Sequence, residues 1–329
     1  MTSQPLSLPA AAERTGISAD VLRRAALNGL ALPVTGTDDC FAEDEVAAWS
    51  DWGAIGRLLG RLRPLPRGGF AGEHIAVGAY AARNRYRLPF SGAWLVGDGG
   101  NRRTPDGYAR SGHAYLAPCV QWAWDFCRIH PDDYARCHAE LTMAELTRLR
   151  LRRGQAAGEA DFAVSEPWER PAIFTVLRED GRDQRLHYLY ETDVVAPADG
   201  RILSRMGRAD DPSFAEAVAA ARANGADDEA SFFIEHAGGE YSQFAHVLAR
   251  SLTVQPGEQV VAGEVLCQAG AAHHHLPHLH WGVWDSWHPL FAESLPITIA
   301  QCEVFEQNHF QPRQSLWLEA GLVVRAAVD

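Results

Sequence analysis

The sequence predicts a mainly β protein with helical insertions (α+β), in which an antiparallel, sandwich-like β domain follows a small helical domain. Short runs of alternating aromatic and aliphatic residues, broken by Gly and Pro, recur from about residue 86 and are typical of strands. Apolar residues at helical spacing occupy the first fifty residues, and a Pro-, Arg- and Gly-rich stretch follows at 61–69. We therefore predict a helical domain over 1–60, a linker over 61–85 and a β domain over 86–329.

Composition and charge are those of an ordinary globular chain. The 329 residues are 47% hydrophobic and 22% charged, which permits one or two domains with a sizeable core. The net charge of −12 argues against extended binding to nucleic acid or to an anionic membrane, because both require clustered positive charge. The six cysteines form no CxxC pair and are predicted to be free, buried thiols.

No signal peptide and no membrane span are visible in the sequence. The first residues lack a basic and then an apolar region, and no stretch approaches the roughly 18 apolar residues of a spanning helix. We expect a cytoplasmic protein, or one that is exported by a non-standard route.

The helical domain is predicted from two helices separated at Thr15-Gly16 and a third over 40–52, with Ser18 as the N-cap of the second. A helix, a tight Gly-containing turn and a helix form the helix-turn-helix arrangement, and this stretch resembles the small winged-helix domains of the excisionase and MerR type. The resemblance implies DNA as a partner through residues 6–50. The charge opposes it, because three arginines stand among seven carboxylates there. The alternative is a packing or protein-interaction module.

The β domain is predicted from five stretches in which apolar and aromatic residues alternate between Gly and Pro. These stretches are 87–101, 120–129, 187–203, 231–248 and 278–285. Two helical patterns interrupt them, one over 132–153 and an Ala-rich one over 213–225 that ends at Gly225. We interpret both as parts of insertions, near 127–190 and 205–230.

The strongest chemical signal is the pair His278 and His280, one residue apart. In a strand, side chains at i and i+2 point to the same face, so both imidazoles enter one pocket. The strand continues through Trp281 and Trp284, which indicates that it is at least half buried, and buried histidines need polar partners. Because neutral imidazole is a good zinc ligand, the pair predicts half of a zinc site. The spacing alone leaves open which histidine binds the metal.

Three stretches in the same order resemble the M23 family of zinc endopeptidases, the LytM- and lysostaphin-like enzymes that cut peptide bridges of bacterial cell walls. They are DVVAPADGRIL (193–203), the run from FIEHAGG to VQPGEQVVAGEVLCQAG (233–270), and PHLHWGV (277–283). The resemblance covers roughly 190–285. It implies an antiparallel β catalytic domain, one zinc ion per chain, and stem or cross-bridge peptides of peptidoglycan as the substrate.

The upstream ligands of the family, a His and an Asp close together, are less easily placed. His187 and Asp193 stand near the expected position, but Asp193 aligns with a turn proline. The stretch from SGAWLVGDGGN (91–101) onward instead resembles a divergent branch of the family, with His113 and Asp125 as the implied ligands. Gln121 and His187 remain rival positions for the first ligand.

The resemblance implies a division of roles. His113, Asp125 and His280 bind zinc, with a water in the fourth position of a tetrahedron. His246 and His278 stand beside that water as general base and as partner of the oxyanion or leaving group. No HExxH motif is present, so the base is not a helical glutamate.

Each site residue also has a structural interpretation. Asp125 can be a buried carboxylate bonded to backbone amides, and His113 and His246 can be solvated. His236 is expected to pack the hairpin or line the edge of the site. The run His273–His275 is expected to be a loop rim, and His130, Cys137 and His138 to belong to a helix surface or core. The alternative function is a catalytically inactive regulatory or interaction protein on the same scaffold.

Overall fold

The computed structural model describes residues 5–37, 39–49, 51, 60–101, 103, 107–109, 111–128, 134, 191–205, 207–225, 229–270 and 278–327. Several predictions concern residues outside these ranges. They are the helix over 132–153, of which only Tyr134 is described, the rival ligand His187, the run His273–His275, and His130, Cys137 and His138.

The described residues form helices, 3₁₀ turns and strands. The helices are α1 (Leu8–Thr15), α2 (Ala19–Leu27), α3 (Glu43–Trp49) and α4 (Pro212–Asn224), and the 3₁₀ turns are Gly112–Tyr115, Pro118–Val120 and Ala249–Ser251. The strands are β1 (Leu6–Ser7), β2 (Cys40–Phe41), β3 (Ala93–Asp98), β4 (Trp124–Cys127), β5 (Asp193–Val195), β6 (Gly200–Leu203), β7 (Glu229–His236), β8 (Glu240–Leu248), β9 (Gln259–Val260), β10 (Val265–Gln268), β11 (Leu279–Trp284), β12 (Ile299–Glu306), β13 (His309–Leu316) and β14 (Val323–Ala326).

Most of these strands belong to one large sheet. Within the described residues its order is β13-β12-β14-β3-β4-β11-β8-β7-β6-β9, and all of its strand pairings are antiparallel. Two small antiparallel pairs, β1–β2 and β5–β10, lie outside it. The mainly β, antiparallel class predicted from the sequence is therefore confirmed, whereas β12, β13 and β14 lie where no strand was predicted.

The central strand β11 separates two environments, because its side chains alternate between the faces of the sheet. Leu279, Trp281 and Val283 point into the principal core, which also contains Phe244 of β8 and Val194 of β5. The core thus fills the space between the large sheet and the β5–β10 pair. His280 lies on the opposite face of β11, and His278 immediately precedes the strand.

Helices α1 and α4 end, and helix α2 begins, at the residues that the sequence predicts. Ser18 accepts a hydrogen bond from the backbone N–H of Val21 at 3.3 Å, as predicted for the N-cap of α2. Gly16, in the turn between α1 and α2, has a φ of 70°, which glycine adopts without steric cost. Gly225 ends α4 in the same left-handed conformation, with a φ of 60°.

The N-terminal helices share a hydrophobic cluster with the β domain. Trp49 of α3 makes an edge-to-face contact with Phe291, with ring centroids 5.2 Å apart. His288, which is fully buried, donates from Nε2 to the carbonyl of Trp49 at 2.7 Å. Arg24 of α2 pairs with Asp285 at 2.6 Å. Residues 285–291, which follow β11, therefore pack with the N-terminal helices in one hydrophobic cluster.

The three arginines within residues 6–50 all have carboxylate partners within the chain. Arg14 pairs with Glu43 at 2.8 Å and Arg23 with Asp20 at 2.7 Å, in addition to the Arg24 pair. DNA binding through residues 6–50 stays a prediction.

The predicted linker contains no helix or ladder strand between residues 60 and 85, yet it is held to the β domain. The fully buried carboxylate of Glu240 accepts hydrogen bonds from Tyr80 and from the backbone N–H of Arg83. Ile75 donates its N–H to Glu293 in the same way.

The cysteines of the described residues are free, as predicted. They are Cys40, Cys119, Cys127, Cys267 and Cys302. Cys40 and Cys127 are only partly buried, so the expectation of full burial is wrong for these two. No helix in the described part of the chain is long and apolar enough to cross a membrane.

Candidate metal centre

The pairing of β4 with β11 brings Asp125 and His280 together. The two residues lie directly opposite each other in the antiparallel register, so their side chains project from the same face of the sheet. Nδ1 of His280 lies 2.8 Å from Oδ1 of Asp125. Both are buried, with 8% and 7% of their surfaces exposed. The neighbouring pairs on the same strands, such as Trp281 with Trp124, face the core instead.

His113 reaches the same point from the 3₁₀ turn at Gly112–Tyr115. Ser111 caps this turn by accepting from the N–H of His113 at 3.2 Å. Nδ1 of His113 donates to the carbonyl of Ala123 at 3.0 Å, and Nε2 lies 3.2 Å from Oδ2 of Asp125. Because Nδ1 donates to this carbonyl, Nε2 is the ring nitrogen directed at the cluster. A hydrogen bond from the other ring nitrogen to a carbonyl is the usual orientation of a metal-binding histidine.

His113, Asp125 and His280 form a buried group suited to a metal ion. Each offers one ligand atom, and these atoms all lie within 4.8 Å of one another. Two imidazole nitrogens and one carboxylate oxygen are the donor set of many catalytic zinc sites, in which the fourth position is open for water. In the described part of the chain, no other group of His, Cys, Asp or Glu side chains meets this geometry.

The rival positions for the first ligand lie elsewhere or are not described. Gln121 follows the second 3₁₀ turn, where its backbone N–H bonds the carbonyl of Pro118. Asp193 is exposed on β5 and pairs in register with Gln268 of β10. Asp193 does not belong to the buried group.

A β-bulge places His246 on the same face as this group. Between the pairs Ala230–Val247 and Phe232–Phe244, one residue of β7 faces two residues of β8, Ala245 and His246. Phe244 and Val247 both stay in the core, so the extra residue lies on the opposite face. His246 has a φ of 64°, which costs a non-glycine residue on the order of 1 kcal/mol.

His246 and His278 stand side by side next to the metal-binding group. Their ring centroids are 4.4 Å apart, and the ring of His246 lies 6.2 Å from that of His280. Nε2 of His278 is 3.5 Å from Oδ1 of Asp125, farther than Nδ1 of His280. The two histidines of the HxH pair thus occupy different places, His280 within the group and His278 between the group and His246.

The charges of the group favour a cation. Burial raises the pKa of Asp125, but the adjacent imidazoles of His278 and His113 outweigh this and hold it well below its usual range. Burial lowers the pKa of His113, yet the carboxylates of Asp125 and Asp98 raise it to about 9 overall. Burial also lowers the pKa of His280. In the absence of metal, an anionic Asp125 is therefore compensated by a proton on His113.

Two further carboxylates take part in the site and were not predicted. Asp98 of β3 is buried and accepts from the backbone N–H of Gly112, which fixes the turn that carries His113. Glu229, at the start of β7, lies 2.5 Å from Nδ1 of His246. Asp98 lies within the GDGGN stretch already noted, so a local signal existed. Glu229 has none, because its proximity to His246 arises from the bulge.

His236 lies outside the site and packs the hairpin, one of its two expected roles. Its ring nitrogens lie 2.8 Å from the carbonyl of Asp199 and 2.8 Å from the hydroxyl of Ser242. The Asp199-Gly200 turn is structural, as predicted. A Cβ at Gly200 would lie 2.5 Å from a methyl of Ile234, so the two strands approach closely only because this residue is glycine.

Comparisons with known proteins find similar chains among solved structures. No protein-family model matches the chain, and no curated protein matches it. A zinc-containing peptidase from Vibrio cholerae is 21% identical over 29% of this chain and 24% of that chain, with a TM-score of 0.20. Lysostaphin is 18% identical over 29% of this chain and 32% of that chain, with a TM-score of 0.20. The deep-sea M23 metalloprotease pseudoalterin is 12% identical over 73% of this chain and 96% of that chain, with a TM-score of 0.30.

The similar structures thus include M23 peptidases and also the SpoIIQ–SpoIIIAH pore-forming complex, all at low identity and low TM-score. The chain spans only about a quarter to a third of the length of the first two.

Proposed function

We propose that the chain is a zinc-dependent endopeptidase of the M23 type. The observation that carries the proposal is the buried group of His113, Asp125 and His280, with His246 and His278 beside it on the same face of the sheet. Three neutral or anionic ligands with room for a fourth are typical of catalytic zinc, whereas structural zinc is closed by four protein ligands.

The donor set fits zinc, and the adjacent histidines fit hydrolysis. Zinc, when bound, polarises a peptide carbonyl and lowers the pKa of a coordinated water towards 7. His246 has Nδ1 directed at Glu229, so Nε2 is the nitrogen that takes a proton from the attacking water. The same proton passes to the leaving nitrogen as the C–N bond breaks. We propose that His278 donates a hydrogen bond to the carbonyl oxygen as negative charge develops there.

The substrate class follows from the resemblance in sequence. The stretches that resemble the M23 family lie on β5–β6, on the β7–β8 hairpin with β9 and β10, and on β11. Strands β6, β7, β8 and β11 are consecutive neighbours in the large sheet, and β8 and β11 carry His246 and His280. We propose stem or cross-bridge peptides of peptidoglycan as the substrate on this basis.

Metal analysis combined with digestion of isolated cell walls tests the proposal. The purified protein is expected to hold one zinc per chain and to release new amino groups from sacculi or from glycine- and D-amino-acid-containing peptides. Chelation should abolish this release, and added zinc should restore it. Zinc binding without cleavage of any such peptide would instead support an inactive regulatory protein on the same scaffold.

A further inference from the structure

Glu229 and His246 are brought together by the β-bulge and not by their place in the sequence. Without the extra residue in β8, the alternation of the strand would turn position 246 into the core, since Phe244 is fully buried. With it, His246 lies on the face of the sheet that carries His280. Bulges commonly re-aim side chains next to active sites.

The side chain of Glu229 lies on this same face. On β7, Phe232 and Ile234 point into the principal core, so the alternating positions 229, 231, 233 and 235 face the other way. Oε1 of Glu229 is 2.5 Å from Nδ1 of His246, and both side chains are mostly buried, with about a fifth of each exposed (20% and 22%). A carboxylate accepts hydrogen bonds only, so Nδ1 is the donor of this pair.

We propose that Glu229 is a positioning residue for His246. Its carboxylate accepts the Nδ1–H and thereby selects the imidazole tautomer whose unprotonated nitrogen is Nε2. A carboxylate that holds a catalytic histidine in one tautomer and one orientation is a recurrent arrangement in hydrolases. The catalytic consequence rests on the proposed function, whereas the tautomer does not.

The tautomer is measured directly by long-range ¹H–¹⁵N correlation on ¹⁵N-histidine-labelled protein, with and without added zinc. The His246 signals are assigned from their loss in His246→Asn, at a pH at which their ¹⁵N shifts show a neutral ring. We expect Nδ1–H in the wild type and in Glu229→Gln, because the side-chain oxygen of glutamine also accepts. We expect Glu229→Leu to lose this preference.

Kinetics separate positioning from a structural role. On a peptide substrate, Glu229→Leu should lower kcat by roughly 100-fold with KM within about twofold, and Glu229→Gln should recover most of this loss. Glu235 is the matched control, because it lies on the same strand and face and pairs with Arg201. Glu235→Leu should leave both the tautomer of His246 and kcat unchanged.

The outcomes distinguish this proposal from the proposed function. An Nε2–H tautomer in the wild type, or an unchanged Nδ1–H tautomer in Glu229→Leu, overturns the positioning role. Equal kcat losses in Glu229→Leu and Glu235→Leu overturn it as well, because they indicate general damage to the hairpin. A wild-type protein that cuts no peptide refutes the peptidase proposal, and the tautomer comparison then decides the role of Glu229 alone.

Discussion

The carboxylate of Asp125 and the imidazole of His280 face each other across two hydrogen-bonded strands, with Oδ1 2.8 Å from Nδ1. Their separation is set by the backbone ladder between β4 and β11, so these two ligand positions exist before any metal binds. His113 comes from a short turn that Asp98 and Ser111 hold in place. Strand pairing thus holds Asp125 and His280 in place, whereas the position of His113 depends on the hydrogen bonds that Asp98 and Ser111 accept.

Removal of Asp125 is the most direct test of the metal centre. Asp125→Ala deletes one ligand and the negative charge that compensates the metal, so zinc affinity should fall by about 100-fold or more. Titration calorimetry and the zinc content after dialysis measure this. His278→Ala is the control and should keep zinc, because His278 lies outside the group of three. Full zinc occupancy in Asp125→Ala would show that the metal does not bind to the group of His113, Asp125 and His280.

Removal of His246 should separate chemistry from metal binding. His246→Ala takes away the proposed general base, so kcat should fall by about 10² to 10⁴-fold while the zinc content stays at one per chain. The exposed His309 on β13 provides a control, and His309→Ala should keep wild-type kcat. Undiminished turnover in His246→Ala would exclude this residue as the base.

Zinc affinity should depend steeply on pH. The pKa of His113 in the metal-free protein is about 9, because the carboxylates of Asp125 and Asp98 outweigh the effect of burial. Below this pH a proton must leave Nε2 before zinc can bind, whereas Asp125 is already ionised. The apparent dissociation constant should therefore decrease about tenfold per pH unit between roughly pH 6 and 9 and then level off. Competition with a chromogenic chelator across this range measures the slope, and a flat profile contradicts the assignment.

Arg24 should anchor the N-terminal helices to the β domain. It is the cation beside Asp285 and Glu293, and burial raises the pKa of Asp285 to about 6 even with Arg24 present. The imidazole of His74 also lies 2.7 Å from Glu293, and this hydrogen bond raises the pKa of His74. At pH 7, Arg24→Met leaves buried carboxylates without their arginine and should lower the free energy of unfolding by about 3 kcal/mol.

The neighbouring arginine supplies the matched control for this experiment. Arg23 pairs with Asp20 at the surface, where the two side chains are 53% and 92% exposed. Arg23→Met should change the free energy of unfolding by less than about 0.5 kcal/mol in urea denaturation. Equal effects of the two substitutions would show that the Arg24 pair does not hold the helices in place.

Strands β12 and β13 were not predicted from the sequence, and the structure shows why. Strand β13 is the edge of the large sheet and is largely exposed, so it lacks an alternating apolar pattern, and Pro312 within it argues against a strand. Strand β12 owes its position to pairing with β13 and β14. Strand β13 is therefore recognisable only from its pairing with β12.

The sequence by itself determined that His278 and His280 share a face, since alternation in a strand is a local property of the backbone. It also determined the caps at Ser18 and Gly225, which depend on neighbouring residues. Its resemblance to the M23 family implied that His113 and Asp125 are metal ligands, although an insertion near 127–190 separates them from the other site residues.

The resemblance implied different roles for the two histidines of the HxH pair, but only the tertiary structure decided which residues each of them meets. His280 stands opposite Asp125 because of the register of β4 and β11, and His278 meets His246 because a bulge turns that residue out of the core. The tertiary structure likewise decided that Glu229 meets His246 and that Arg24 of α2 pairs with Asp285. Each of these four relationships joins residues distant in the chain through strand register or packing, and none of them is encoded in a local pattern.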